Sequence, residues 1–245
     1  MPAIAADGTI HGVHLLSTDT AVALRQVADY NASETLRVIR RLPGFVSASF
    51  LLSFNGRDLA EIVQWQSWQH FSRAFEDADF VEHLHVAHGL ARPEPGFYET
   101  HRLWRGTAVD LQPDPFAIFL VSVITAPQDQ RSRALGLLEA ALDSLDEQPA
   151  GGLESAAVLL PVRSSDLGAT IAGAAGVGRS GTSPAPPPPS DRIALVARCK
   201  TLDASGLPLP EATQIGPLRQ VLDDVANFAA IRSERYDLRH CIAAG

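Results

Sequence analysis

Polar and apolar residues alternate most sharply in the stretch FVSASFLLSF, residues 45–54. This period of two is typical of a β-strand, whose successive side chains point to opposite faces. One face would be wholly apolar, and the other would carry three serines together with Leu51. Asn55-Gly56 follows and is a strong signal for a tight hairpin, so the stretch DLAEIVQW, residues 58–65, is predicted to be the returning strand.

The rest of the first half alternates between strand and helix periodicities. Thr18 or Asp19 can cap the first helix, Ser67 can cap a short one, and Gly89 is suited to end the last. The order is βαββαβ, the ferredoxin-like pattern. The predicted elements are strands over residues 12–17, 45–54, 58–65 and 96–104, helices over 20–42 and 79–89, and a short helix carrying Trp68, Phe71 and Phe75.

The second half repeats this order. The two closing strands contain the similar stretches YETHR (98–102) and YDLRH (236–240), which indicates two diverged copies of one unit, residues 1–108 and 109–245. Pro217 is suited to the first turn of the last helix. The predicted elements are strands over residues 116–125, 153–162, 192–202 and 235–242 and helices over 128–146 and 217–228.

A Gly/Pro-rich insertion, residues 164–190, interrupts the second unit. Small residues followed by a proline run bury little apolar surface, so a flexible loop with a polyproline stretch is expected. The run from Gly176 to Gly181 matches GxGxxG, but it follows no predicted strand and precedes prolines instead of a helix. Dinucleotide binding there is therefore not expected.

Composition narrows the classes of partner. A formal net charge of −8 and 46% hydrophobic residues favour a globular domain and argue against nucleic acid or an anionic membrane. Cys199 and Cys241 match no metal or redox spacing, and no histidine set adds a ligand group, so no metal is expected. The first residues show no signal peptide, and we expect a cytoplasmic protein.

The stretch around the end of the second hairpin strand carries a family likeness. Trp65-Gln66-Ser67, Phe71, Asp79-Phe80 and His83 together resemble the antibiotic biosynthesis monooxygenase family over roughly residues 10–105. The resemblance implies a dimeric α+β barrel and oxidation of anthrone-type polycycles to quinones with O₂ and no cofactor. Ala74 stands where the haem-degrading branch carries tryptophan, which argues against haem degradation.

Under this resemblance the fold class is α+β, with two tandem ferredoxin-like units whose sheets form one intramolecular barrel. The second unit lacks the Trp-x-Ser…Phe…Phe-x-x-His series, so it is expected to complete the barrel without repeating the site. The resemblance leaves open a monomeric pseudo-dimer or a homodimer.

Cofactor-free oxygenation needs a base, donors for an oxyanion, and an apolar pocket wide enough for fused rings. On the helix over 79–89, a 100° step places His83 on one face with Phe80 and Leu84, so His83 is the predicted base. The alternative is a core histidine bonded to a backbone carbonyl. Trp65 and His14 are predicted orienting or oxyanion groups, although Trp65 could serve packing alone.

The remaining candidates would bind substrate. Phe71 and Phe75 could wall the pocket or form a packing stripe, and the other predicted contacts are Tyr98, Tyr30, Asn31 and Leu84. The first function hypothesis is a cofactor-independent monooxygenase acting on a polycyclic aromatic polyketide. A polyketide cyclase or aromatase would use the same pocket without O₂. A non-catalytic ligand-binding protein would need no base.

Overall fold

The computed structural model describes residues 2–147, 152–162, 191–202, 208 and 211–244. The insertion at 164–190, including the GxGxxG match, lies outside them. The strands are β1 (Ala3–Ala5), β2 (Ile10–Ser17), β3 (Phe45–Ser53), β4 (Asp58–Trp65), β5 (Arg92–Glu94), β6 (Phe97–Trp104), β7 (Ala108–Asp110), β8 (Ala117–Thr125), β9 (Leu153–Pro161), β10 (Arg192–Lys200) and β11 (Ala230–Ala243). The helices are α1 (Ala21–Arg37), α2 (Trp68–Ala74), α3 (Ala78–Leu90), α4 (Arg131–Glu147) and α5 (Glu211–Ala226), with a 3₁₀ turn at Ile39–Arg41.

The long strands form a closed antiparallel barrel in the order β4-β3-β11-β8-β10-β9-β6-β2, and β2 pairs back onto β4. Within this ring, β6-β2-β4-β3 and β11-β8-β10-β9 are contiguous arcs. If strands are numbered by chain order within each arc, both arcs read 4-1-3-2. Closure removes exposed sheet edges and leaves each long strand with one face inside the barrel and one outside.

Three apolar clusters follow from this arrangement. One fills the barrel interior and includes Leu51, Ile62 and Phe119. A second lies between α1–α3 and the outer face of the first arc, and a third lies between α4, α5 and the second arc. No helix among the described residues is long and apolar enough to cross a membrane.

The sequence predicted the α+β class and the strands around the hairpin, and the structure confirms them. It also confirms Ser67 as the N-cap of α2, since its side chain accepts from the His70 backbone N–H. The predicted polar face of β3 is buried as well, because Ser47 and Ser49 point with Leu51 into the barrel. The serine-bearing face of β3 therefore lies inside the barrel, although the sequence analysis did not assign that face to the core.

Helix ends differ from the prediction at several points. Thr20 caps α1, and the helix ends at Arg37 before the 3₁₀ turn, which leaves Leu36 54% exposed. Gly89 lies inside α3, whose C-cap is Ala91. Helix α5 begins at Glu211, so Pro217 lies in its interior instead of its first turn.

A polar network crosses the barrel interior near β1. Gln64 accepts from the Ser47 hydroxyl and donates to the Ala3 carbonyl at 2.8 Å and to His11 Nδ1 at 3.1 Å. The Thr100 hydroxyl donates to the Ala5 carbonyl at 2.8 Å, so its oxygen accepts from His11 Nε2 at 2.9 Å. His11 is thus fully satisfied as the neutral Nε2–H tautomer, and burial lowers its pKa to about 4.

We predict that His11→Ala lowers the free energy of unfolding at pH 7.5 by about 2–4 kcal/mol, because it leaves buried polar partners unpaired. The deficit should narrow as pH falls from 6.5 towards 4. In that window the unfolded wild-type chain binds a proton at residue 11 that the folded chain does not, so wild-type stability falls.

Urea unfolding across this pH range, with exposed His85→Ala as the control, measures both effects. A deficit under about 0.5 kcal/mol, the size of an ordinary surface change, would contradict the role of the network.

Candidate active site

The candidate site lies on the outer face of β2 and β4, under α1 and α3. The ladder between the two strands pairs Ile10 with Trp65, Gly12 with Val63, His14 with Glu61 and Leu16 with Leu59. Of these four pairs, His14 with Glu61 is the one in which both side chains are ionisable. A cavity of about 50 Å³ opens above it.

Helix α3 supplies the opposite wall. Asp77 caps it by accepting from the Phe80 backbone N–H at 3.0 Å. The 3.6-residue period then aims one face at the cavity. Helix α1 adds Asn31, and the cavity-lining residues from α3 are Phe80, His83, Leu84, Ala87 and His88.

Trp65 closes one end of the cavity and is only 1% exposed. Phe45, Phe71 and Phe80 meet its ring edge-on, with centroids 5.8, 5.8 and 6.3 Å away. Such contacts are worth about 0.5–1.5 kcal/mol each beyond the buried area. The indole N–H has no hydrogen-bond partner among the described residues. Trp65 therefore both packs the core and presents a donor that the protein does not use.

His83 is 4% exposed, and its Nδ1 has no hydrogen-bond partner in the described part of the chain. The Tyr30 ring lies beside it, with centroids 5.7 Å apart and planes 30° from each other. Burial is the largest cause that lowers the pKa of His83 to about 4, and Glu34 partly opposes it. The side chain is accordingly neutral at pH 7, and its Nδ1 is not held by a backbone carbonyl.

Glu61 is 9% exposed, and none of the described residues hydrogen-bonds to its carboxyl group. Burial without a compensating partner raises its pKa to about 7. Opposite it, burial lowers the pKa of His14 to about 4, helped by His88. The site thus places a neutral imidazole across from a carboxyl group that changes charge near pH 7.

Gly12 makes room for the His14 ring. A Cβ at residue 12 would lie 2.5 Å from His14 Nε2, which is closer than real contacts allow. The Phe97 ring meets His14 edge-on, at 5.1 Å and 88°. Gly12 and Phe97 therefore fix where the imidazole lies over the strand.

The structure brings most of the predicted site residues together. His14, Asn31, Trp65, Phe71, His83 and Leu84 line the cavity. Tyr30 stands behind His83, and Phe75 packs edge-on against Phe71 and Phe80 at 5.3 and 5.4 Å without lining the cavity.

Tyr98 is placed elsewhere. It is 1% exposed and belongs to the cluster inside the barrel, on the face of β6 opposite the cavity. It therefore cannot contact a ligand in this site without leaving the barrel.

Sequence reasoning missed Glu61 as a site residue. Strand alternation places Glu61 on the same face as Trp65, and that signal was available. Its pairing with His14 depends on the β2–β4 register, which the sequence does not reveal.

The described residues contain no group of three His, Cys, Asp or Glu side chains that could hold a metal ion. A larger cavity of about 290 Å³ lies between α5 and β11. Arg219, Asp223, Glu234 and Arg235 line it together with aliphatic side chains, and its lining includes neither a histidine nor an aromatic ring. It suits a planar aromatic ligand less well than the cavity above His14 and Glu61.

Similarity to known proteins identifies the family. No family model matches the chain. Tetracenomycin-F1 monooxygenase of Streptomyces glaucescens is 36% identical over 78 residues, which cover 31% of this chain and 70% of that protein. The chain belongs to the antibiotic biosynthesis monooxygenase family. It is an oxidoreductase.

One solved structure shares the fold of this family member. An anthrone oxidase-like protein matches with a TM-score of 0.72 and 14% identity, covering 100% of this chain and 97% of that one. SnoaB, a cofactor-independent oxygenase from Streptomyces nogalater, matches at 20% identity and a TM-score of 0.33, covering 39% of this chain and 95% of that one.

We predict that Glu61→Gln makes this monooxygenase-family protein more stable than wild type at high pH. The folded carboxyl has its pKa at about 7 against 4.5 in the unfolded chain, so the unfolded chain loses its proton first. Wild-type stability therefore falls as pH rises from 4.5 to 7, by up to about 3 kcal/mol at 1.36 kcal/mol per pKa unit, and the glutamine variant escapes that loss.

Urea unfolding of both proteins from pH 4 to pH 8 measures the difference. Glu99→Gln, at an exposed position on β6, is the matched control and should show no comparable trend. A constant difference between Glu61→Gln and wild type would mean that Glu61 ionises normally in the folded protein.

Proposed function

We propose that this chain is a cofactor-independent monooxygenase that oxidises a polycyclic aromatic polyketide, from anthrone to quinone, with O₂. One observation carries the proposal. Two buried polar atoms, His83 Nδ1 and Asn31 Oδ1, have no hydrogen-bond partner in the described chain and belong to residues lining one aromatic-walled cavity. The Glu61 side chain lines the same cavity, and burial alone raises the pKa of its carboxyl group. Buried polar groups are normally paired, so such a cluster suits the polar groups of a ligand.

Similarity to relatives supports the substrate class. The Streptomyces glaucescens relative is named for a monooxygenase reaction on tetracenomycin F1, which favours a polyketide substrate here. The edge-on rings around Trp65 favour a planar aromatic one, since a flat ring can stack or pack edge-on against them.

The overall reaction balances without a cofactor. A CH₂ group of the substrate becomes a carbonyl, and O₂ ends as that carbonyl oxygen and one molecule of water. The substrate itself supplies all the electrons once a base has removed a proton from its CH₂ group. The protein must therefore provide a base, donors to the substrate oxygens, and exclusion of water.

The residues can fill these roles. The neutral His83 ring can donate to or accept from a substrate oxygen, and the sequence predicts it as the base. The unused Trp65 N–H and the His14 ring are the proposed orienting or oxyanion groups. Phe71 and Leu84 wall the cavity, and Asn31 contributes an amide.

We further infer that the chain is a fused pseudo-dimer of two ferredoxin-like units, residues 1–108 and 109–245. The identical 4-1-3-2 strand order of the two arcs supports this division. The second unit lacks the aromatic-histidine series, so one site per chain is proposed, in the first unit. The chain would act as a monomeric pseudo-dimer or pair again as a homodimer.

Oxygen consumption by metal-stripped, cofactor-free protein mixed with anthrone tests the proposal. Uptake should exceed the uncatalysed rate and fall about 10-fold or more in His83→Ala and Trp65→Phe, which remove a ring nitrogen and an indole donor. His85→Ala, on the solvent side of the same helix, is the control and should match wild type.

Product analysis completes this test. Formation of one anthraquinone molecule for each O₂ molecule consumed would support the oxygenase. Binding of anthrone with no uptake of O₂ would contradict it and favour the cyclase or ligand-binding hypothesis.

The cavity must open to admit such a substrate. Its volume of about 50 Å³ is far below the roughly 300 Å³ at which ligand pockets begin. Helix α3 is the element best placed to move, because its Val81 and Leu90 are 45% and 48% exposed and only one face packs on the core.

We predict that saturating anthraquinone slows amide hydrogen exchange in α3, residues 78–90, because a bound ligand replaces solvent contact and holds the helix. Exchange in α4, residues 131–147, should stay unchanged. Protection confined to α4 or α5 would place the ligand in the second unit and contradict the proposed site.

A further inference from the structure

We propose that the Glu61 carboxylate, directly across the β2–β4 ladder from His14, is the group that takes the proton from the substrate carbon and returns it during the oxygen step. This inference rests on the proposed function. It assigns the base to β4 instead of α3 and leaves His83 to hydrogen-bond with a substrate oxygen.

The position of Glu61 suits a proton acceptor for a substrate beside Trp65. Glu61 lies four residues before Trp65 on the same face of β4. Their Cα atoms are therefore about 13 Å apart, at roughly 3.3 Å per residue. The space between them lies above Val63, because the His14 ring occupies the place over Gly12. A planar substrate resting on Trp65 would extend along this floor towards the Glu61 carboxyl.

Glu61 also has no competing partner among the residues that the structure describes. Carboxylates buried for structural reasons are paired with a cation or several donors. Even two partly exposed carboxylates of this protein are paired in this way, because Arg232 bonds Asp58 at 2.6 Å and Glu94 at 2.8 Å. No described residue does the same for Glu61, so its proton-accepting oxygens are left for a ligand.

Surrounding groups set when Glu61 carries charge. The titratable side chains around the cavity are His14 from β2 and His83 and His88 from α3, and Asn31 from α1 adds an uncharged amide. On its other side, Glu61 pairs with Phe50 of β3, which is fully buried and apolar. Burial raises the pKa of Glu61 to about 7, and a base with a pKa near the working pH is the most effective.

His14 is a positioning residue in this scheme. Directly opposed side chains in an antiparallel pair have Cβ atoms about 4.5–5.5 Å apart. The imidazole makes no hydrogen bond to Glu61 in this structure, so it restricts the space around the carboxyl group without occupying its oxygens. Gly12 permits that placement, since any side chain there would push the ring away.

The chemical steps balance. The substrate C–H bond breaks, its electron pair stays in the ring system, and the proton moves to Glu61. The carbanion reduces O₂ and forms a C–O bond, and the resulting peroxide anion takes the proton back. Loss of the second hydrogen of that carbon, as a proton, then breaks the O–O bond and gives the carbonyl and water.

Anaerobic hydrogen–deuterium exchange isolates the first of these steps from the oxygen step. Anthrone in D₂O with the full chain should lose its CH₂ proton signal in the NMR spectrum faster than without protein. The rate should rise with pH to a plateau, with an apparent pKa near 7. Glu61→Gln should lower the rate at least about 100-fold and abolish the pH dependence, and Glu61→Asp should restore part of it.

Two controls separate chemistry from folding. Glu99→Gln should exchange like wild type. Gly12→Ala keeps Glu61 and displaces His14, so this test variant should slow exchange and shift the apparent pKa. Its control is Gly136→Ala, where an added Cβ meets nothing within 4 Å, and this variant should exchange like wild type.

The outcomes distinguish this inference from the proposed function. If wild type exchanges the proton but consumes no O₂ in air, the oxygenase proposal fails and the base assignment stands. If wild type and Glu61→Gln oxidise anthrone equally fast, the base assignment is overturned and the oxygenase proposal stands. Absence of exchange in the wild-type protein would also overturn the base assignment.

Discussion

The pairing of β2 with β4 is the constraint on which the site depends. It closes the barrel, and because side chains alternate, it divides each strand between two environments. The inner faces join the barrel core, where His11 and Gln64 are fully satisfied by hydrogen bonds. The outer faces set His14 opposite Glu61 beneath α3. A shift of one residue in this register would exchange the satisfied and the unsatisfied sets.

Buried polar groups inside the barrel and those in the cavity above β4 differ in whether they have hydrogen-bond partners. Inside the barrel, each donor of the His11 network meets an acceptor, and the network stabilises the closed end near β1. Above β4, the Glu61, His83 and Asn31 groups remain unpaired at a cost to stability of about 1–3 kcal/mol each. Such a cost is typical of sites that keep polar groups available for a ligand.

Local patterns predicted a large part of this structure. The alternation in 45–54, the Asn-Gly turn and the Ser67 cap rest on neighbouring residues, and they appear as expected. The serine face of β3 and the Tyr98 orientation were not accessible in this way, because they depend on barrel closure. The helical face carrying His83 was predictable from its period, whereas the pairing of Glu61 with His14 needed a register between distant strands.

In the proposed complex, a planar substrate binds between Trp65 and the His14–Glu61 pair. A crystal structure of the protein with bound anthraquinone tests it most directly. The account predicts the ring system against Trp65, with a carbonyl oxygen in hydrogen-bond contact with His83, Asn31 or Trp65 and the reacting carbon facing Glu61. Anthraquinone in the larger cavity between α5 and β11, with the first unit closed, would contradict it.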